Sequence, residues 1–472
     1  MSVGDPPRRP TAINTRAVNR GRGVGAATML TVYIVLLLAW PSFVTITRLG
    51  SLGRPSLIWG LFLLFWWVLS RLQARPSEVK SVPQPVRYAV VALVVVALVS
   101  FAAAMLRGQP ADQISPAMTA LFRLASWAGV FFVAMDGVRT HADAAKLVRR
   151  LGVGAAVLAA LGLAQFATGQ TLLDWTTGIP GLTVDIEGVA TRGPFTRAAG
   201  TAIHPLEYAT AVVASLPLVI AAAASGGFRS RPSRNAGWWW AAVAVITIAS
   251  VIAVSRSAII GLAVAVIFAL PAVPSVFRWV IGVGGGILAL VVLAAVPGLL
   301  GTIVALFAGA SDDASTQSRV GALSRVPEFI SSSPLIGQGF GTFLPRYYIF
   351  DNAWVLLLVE LGFIGALCFA LLVVFAVGSA YWASKKSPFT NTKAMSKAIA
   401  ASMITIAVLM IFFDGLSFTI SAGLLFFMAG MAAAMRRVAF AQSEQHEKMK
   451  TAPRTSSSGV PRIAHRPEVS DG

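Results

Sequence analysis

Charge is scarce in this chain, and most of what there is has one sign. Only 12% of the 472 residues are Asp, Glu, Lys or Arg, and basic residues outnumber acidic ones 38 to 19. A soluble domain of this length needs far more charge, so an ordinary aqueous globular class is excluded. Cysteine is almost absent too. The single Cys368 lies in an apolar run, cannot form an internal disulfide, and reads as a buried inert thiol. Four histidines beside one cysteine offer no His/Cys metal cluster. No repeat of fixed period is visible. The alternation of a membrane barrel is missing as well. A twin-arginine signal is excluded because Arg8-Arg9 stands too far ahead of the first apolar run. That run therefore reads as a retained span.

What is present is hydrophobic length. The chain is 56% hydrophobic, and apolar runs near the length of a bilayer crossing recur from Met29 to Met435. Backbone groups in lipid must bond internally, so these runs predict helices. We expect an all-α polytopic membrane protein of about twelve spans. They are 28–47, 55–72, 88–106, 117–137, 150–168, 205–225, 236–254, 257–274, 279–300, 360–382, 395–413 and 416–436. Residues 1–24 and 438–472 are polar and predicted to be disordered. The domain between them is 25–437.

The basic residues orient these spans. With the N-terminus inside, the outer positions are Arg48, Arg54, Arg107, Arg192, Arg197, Arg256, Arg319, Arg325 and Arg346. The other Lys and Arg, save Arg123 within a span, fall inside, a split of roughly three to one. Both termini are thus expected in the cytoplasm. The net charge of +19 is spread over short loops and tails, so it reads as an orientation signal and not as a nucleic-acid surface. Two outer segments, 169–204 and 301–359, are too long for simple connectors. A tight outer turn at Ser255-Arg256-Ser257 lies between them.

Chemistry concentrates in these outer segments. The first ends in Arg192, Arg197, Gly200, His204 and Pro205. Pro205 suits a first helical turn and His204 its N-cap. A helix N-terminus with arginines and a glycine suits an anion. An ordinary loop-to-helix junction is the alternative. The second segment holds Arg319, Arg325, a spacing-three apolar series at Leu323, Val326 and Phe329, and then Gly337, Gly339 and Gly341. This predicts a short helix followed by a tight glycine turn. Asp351-Asn352 and Glu360-Leu-Gly362-Phe-Ile-Gly365 come next. Arg123 lies about two turns into the fourth span. It is either a functional arginine or one that snorkels to the interface. Asp185, Glu187, Asp312 and Asp313 are the clustered outer acids; they read as loop solvation and turn signals.

The stretch from Arg319 to Gly365 resembles the signature region of the O-antigen ligase and O-antigen polymerase family. Arg319, Pro334, Gly337, Gly339, Asn352, Glu360, Gly362 and Gly365 stand in the family's order. Arg197–Pro205 resembles its Arg-x-x-Gly-Thr-x-x-x-Pro element, and Ser255-Arg256-Ser257 its Ser-Arg turn. Many members have histidine where this chain has Asp351, and a carboxylate can also accept a hydroxyl proton.

The resemblance implies a glycosyltransferase of the bacterial cytoplasmic membrane, active on its outer face. The donor would be an undecaprenyl-diphosphate-linked oligosaccharide and the acceptor a glycan. Polymerisation of a surface polysaccharide is the first expectation, and ligation to a lipid or cell-wall acceptor the alternative. Other polysaccharide-assembly proteins are the expected partners. No cofactor or metal is expected, because guanidinium groups can hold the diphosphate. On this reading Asp351, Arg319, Arg256 and Arg197 are catalytic. Arg192, His204, Arg325, Glu360 and Arg123 bind substrate. Two other classes compete: a lipid-linked glycan flippase, and a peptidoglycan-type polymerase using the same carrier. A flippase predicts repeated halves and interrupted spans, and the sequence has neither.

Overall fold

The computed structural model describes residues 25–73, 82–185, 190–192, 194–229, 236–308 and 314–451. Helices dominate it. In chain order they are α1 Ala26–Leu38, α2 Pro55–Leu72, α3 Pro85–Leu106, α4 Ala111–Gly137, α5 His141–Thr168, α6 Pro205–Ala224, α7 Trp238–Ile252 and α8 Arg256–Ala269. Then come α9 Ser275–Trp279, α10 Gly285–Ala295, α11 Leu299–Ala308, α12 Ala314–Ile330, α13 Ala353–Lys386, α14 Thr390–Leu409 and α15 Thr419–Thr451. A π turn joins α9 and α10 into one apolar rod. Among the described residues, nine helices are long and apolar enough to cross a membrane, with shorter apolar helices at Ala26–Leu38, Trp238–Ile252 and Arg256–Ala272. Every apolar stretch predicted from the sequence falls on one of these. The protein is a polytopic all-α membrane protein.

Local signals set the helix starts. Pro55, Pro85 and Pro205 open α2, α3 and α6, where a missing N–H costs nothing. Thr140 caps α5 by accepting the Asp143 amide at 3.1 Å. Gly169 ends α5 in the left-handed conformation. Two small antiparallel ladders decorate one end: β1 Val44–Ile46 with β2 Leu182–Val184, and β3 Thr191–Arg192 with β4 Phe195–Thr196.

The structure departs from the sequence reading in several places, the first being α1, which stops at Leu38 and gives way to β1 within the predicted span 28–47. α13 begins at Ala353, well before 360. The Asn352 side chain accepts the Trp354 and Val355 amides at 3.0 and 3.3 Å and so caps it. Hydropathy does not register such a cap. The segment 301–359 is largely helical, holding much of α11 and all of α12. On α12 the buried apolar face is Ala322, Val326 and Phe329, packed on Phe350, while Leu323 is 57% exposed. The period is that of a regular helix rather than three. Finally, α15 runs on to Thr451, past the boundary placed at 437.

α6 is buried along nearly its whole length and forms the axis of the bundle, with α14, α15 and much of α4 also enclosed. α2, α3 and the α9–α10 rod are mostly exposed apolar surface, as lipid-facing helices must be. The buried Glu207 carboxylate on α6 ties three segments together. It accepts Ser42 Oγ at 3.0 Å, the Ile203 amide at 3.1 Å and the Ile420 amide at 2.7 Å. At the other end of the bundle, Asp136 of α4 gathers Arg71, Arg87 and Arg437, with Trp67 Nε1 donating at 2.9 Å. These arginines all belong to the set assigned inside by charge.

The glycine series and the α13 break form one unit. Gly362 has φ 66° and interrupts α13. This frees backbone groups that Pro334–Gly339 satisfies. The Gln338 and Gly339 amides donate to Val359 and Glu360 oxygens, each at 3.0 Å, and the Phe363 amide donates to Pro334 oxygen at 2.9 Å. Gly337 has φ 73°, and a Cβ there would lie 2.2 Å from the Glu360 carbonyl oxygen. Gly337→Ala should therefore destabilise the protein by about 1–3 kcal/mol from backbone strain alone, with the clash added. The thermal midpoint of the purified variant should fall. An unchanged midpoint would mean that the turn is not rigidly seated.

Candidate active site

A cavity of about 670 Å³ opens at the end of the bundle away from Asp136. Its walls come from the first half of α4, the loop ahead of α6, the α7–α8 turn, residues 340–360 and the turn between α14 and α15. Of the residues singled out from sequence, Arg123, Arg197, His204, Arg256, Asp351 and Glu360 all line it. Arg325 does not. Its guanidinium stacks 5.3 Å from the ring centre of Tyr348, a wall residue, so it stands behind the wall. The side chains of Arg192 and Arg319 lie outside the described residues, as do Glu187, Asp312 and Asp313. Asp185 is described and exposed, and it does not line the cavity.

His204 is the N-cap of α6, as its place before Pro205 predicts, and its Nδ1 accepts the Leu206 amide at 3.1 Å. Burial and then the neighbouring Arg197 charge push its pKa down to about 4. It is thus a neutral imidazole at neutral pH, with the proton assigned to Nε2 by that hydrogen bond. It can donate to a ligand oxygen but is a weak proton acceptor.

Arg256 is the first residue of α8, between Ser255 and Ser257, whose hydroxyls lie 2.9 Å apart. A guanidinium at a helix N-terminus adds its charge to the exposed amides there, and both favour an anion. Arg123 reaches the cavity from within α4, and its Nε is buried without a hydrogen-bond partner among the described residues. Arg54 adds a further positive charge near Arg123.

Glu360 is buried at the α13 break and lines the cavity beside Gly341 and Phe343. The backbone bonds from Gln338 and Gly339 to Val359 and Glu360 brace the glycine turn against the helix. Asp414 is a wall residue that the sequence reading does not single out. Its Oδ2 accepts the Ser417 hydroxyl, while its Oδ1 is buried without a partner among the described residues. Burial pushes its pKa up to about 6, against the pull of Ser417, the Leu416 amide and Arg123. The signal for it was a lone carboxylate between the spans 395–413 and 416–436, in a chain poor in acid.

Three arginines and three carboxylates thus share one cavity walled also by Trp127, Phe340, Phe343, Tyr348 and Phe350. Such a site can hold an anionic group, stack sugar faces on aromatic rings and take up a proton. Residues 240–370 match the family model described as O-antigen ligase. The match covers less than a third of the chain, and over that segment the chain is similar to the O-antigen ligase family. Among curated proteins, none matches the chain. The O-antigen ligase segment contains Arg256, Asp351, Glu360 and the glycine turn. Arg123, Arg197, His204 and Asp414 lie outside it in sequence yet line the same cavity. This similarity points to glycan transfer of the ligase or polymerase type in the cell envelope.

Proposed function

We propose that the protein transfers a glycan from an undecaprenyl-diphosphate carrier to an acceptor glycan at the outer face of the bacterial cytoplasmic membrane, and that it polymerises a surface polysaccharide. The observation that carries this reading is the convergence of Arg123, Arg197, Arg256 and Asp351 on one cavity from distant parts of the sequence. Ligation to a lipid or cell-wall acceptor is the second reading, favoured by the name of the matched family.

In the proposed step the acceptor oxygen forms a bond to the anomeric carbon. The bond from that carbon to the diphosphate oxygen breaks, and its electron pair stays on the diphosphate. The hydroxyl proton passes to Asp351. Arg197 and Arg256 hold the diphosphate as charge grows on it, with Arg123 beneath and Arg319 from α12. Asp414 neutralises Arg123. His204 donates from Nε2 to a substrate oxygen. Glu360 keeps the wall in place, and Arg192 and Arg325 guide the substrate toward the opening. No metal takes part in this scheme.

The test is turnover of a lipid-linked oligosaccharide by the purified protein, with and without a chelator. Chain growth supports polymerisation and transfer to a distinct acceptor supports ligation. Binding without turnover would favour a flippase. Loss of activity with the chelator, restored by magnesium, would overturn the metal-free scheme.

The proposed sidedness puts both termini in the cytoplasm, following the charge split. In a Cys368→Ala background, Ser51→Cys should react with a membrane-impermeant thiol reagent in intact spheroplasts. Lys386→Cys should react only after the membrane is broken. The reverse pattern would invert the topology.

A further inference from the structure

A second large cavity lies far from the chemistry just described. It is a groove of about 730 Å³ between α1, α5 and α7. Its long walls are apolar: Ile34, Val35 and Leu38 from α1, and Val153, Val157 and Leu161 from α5. Val35 and Val157 are 54% and 64% exposed. Such surface would be unfavourable in water but is ordinary against lipid. Gly154 forms part of the floor, where a Cβ would come within 2.9 Å of Leu38.

One end of the groove is strongly basic. Lys146, Arg149 and Arg150 of α5 meet Arg229, which follows α6. Arg149 and Arg150 are aimed by hydrogen bonds, Arg149 to the Gly227 oxygen at 2.9 Å and Arg150 to the Thr31 hydroxyl. No Asp or Glu is among the lining residues described. Cations collected without an acid repel one another, so the arrangement gains from an anion. Trp238, 43% exposed, and Trp239 sit at this end, as aromatic side chains do at headgroup level.

The dimensions fit a lipid. From Lys146 to Leu161, α5 rises about 22 Å. One leaflet of the hydrocarbon core is about 15 Å deep, half of the ~30 Å total. The groove can therefore receive a whole acyl chain below a phosphate at the basic end. We infer that this groove is a binding site for an anionic glycerophospholipid, with its phosphate on Lys146, Arg150 and Arg229 and one chain between α1 and α5. This site is independent of glycan transfer. The arginines here belong to the face assigned inside, opposite the catalytic cavity.

The test uses the full-length protein, delipidated in detergent, with binding read by native mass spectrometry. Phosphatidylglycerol should bind, and phosphatidylcholine should bind at least about tenfold more weakly. The Lys146→Gln/Arg150→Gln/Arg229→Gln variant should lose on the order of 100-fold in affinity for phosphatidylglycerol. Val157→Trp fills the groove from its lipid-facing side without touching a charge, and should block binding with an unchanged size-exclusion profile. If the triple variant does not fold, Val157→Trp decides. The proposal is overturned if the two lipids bind alike or if either folded variant binds phosphatidylglycerol as the parent does. It is also overturned if inorganic phosphate competes at the concentration of the lipid itself, which would mean a simple anion site.

Discussion

Asp351→Asn is expected to lower turnover by about 10²–10⁴-fold, the usual cost of losing a general base. The change keeps the shape of the side chain and removes its basicity. Asp351 adjoins Asn352, the N-cap of α13, so its backbone is held by that cap whatever the side chain is. Asp351→His should retain more activity than Asp351→Asn, because imidazole can accept the same proton. The pH profile separates Asp351 from Asp414. Asp414 carries a pKa of about 6. Above that it is ionised and neutralises Arg123; below it the partner charge is lost. Parent activity should therefore rise with pH through about 6. In Asp414→Asn that limb should vanish and leave a lower plateau. Full turnover by Asp351→Asn, together with loss in Asp414→Asn, would make Asp414 the base.

Much of this site was legible because polar residues are so few in the chain. Each arginine or carboxylate placed outside by the charge pattern stood out against apolar sequence. His204 was readable as a cap from Pro205 alone. The glycines at 337 and 339 and the Glu360–Gly362 pair were visible as motifs. Their joint purpose was not, because they meet only through backbone hydrogen bonds between a turn and a broken helix. Glu360 is read as a substrate group, and the structure sets it, buried, in the cavity wall at the α13 break. Asp414 escaped because a lone carboxylate between two spans reads as part of an ordinary short connector. Its character comes from burial and from Arg123, nearly three hundred residues earlier in the chain. The α12 face was misassigned at Leu323 because apolar residues at spacing three and at spacing four compete, and only packing on Phe350 decides.

Arg256→Ala should lower turnover by about 10²–10³-fold, the scale of removing one donor to developing negative charge. The argument rests on position. Arg256 opens α8, so the helix dipole and the guanidinium act on the same oxygen atoms. Arg256→Lys keeps the charge but loses the planar fork that engages two diphosphate oxygens, so it should recover only part of the activity. A structural role predicts something else. If Arg256 merely held the α7–α8 turn, Arg256→Ala would lower the thermal midpoint along with the rate. For a leaving-group clamp, the midpoint should stay near the parent's. Added guanidinium ion at millimolar concentration should then restore part of the turnover of Arg256→Ala and none of that of Asp351→Asn. Turnover of folded Arg256→Ala at the parent rate would remove Arg256 from the clamp and leave the diphosphate to Arg197 and Arg123.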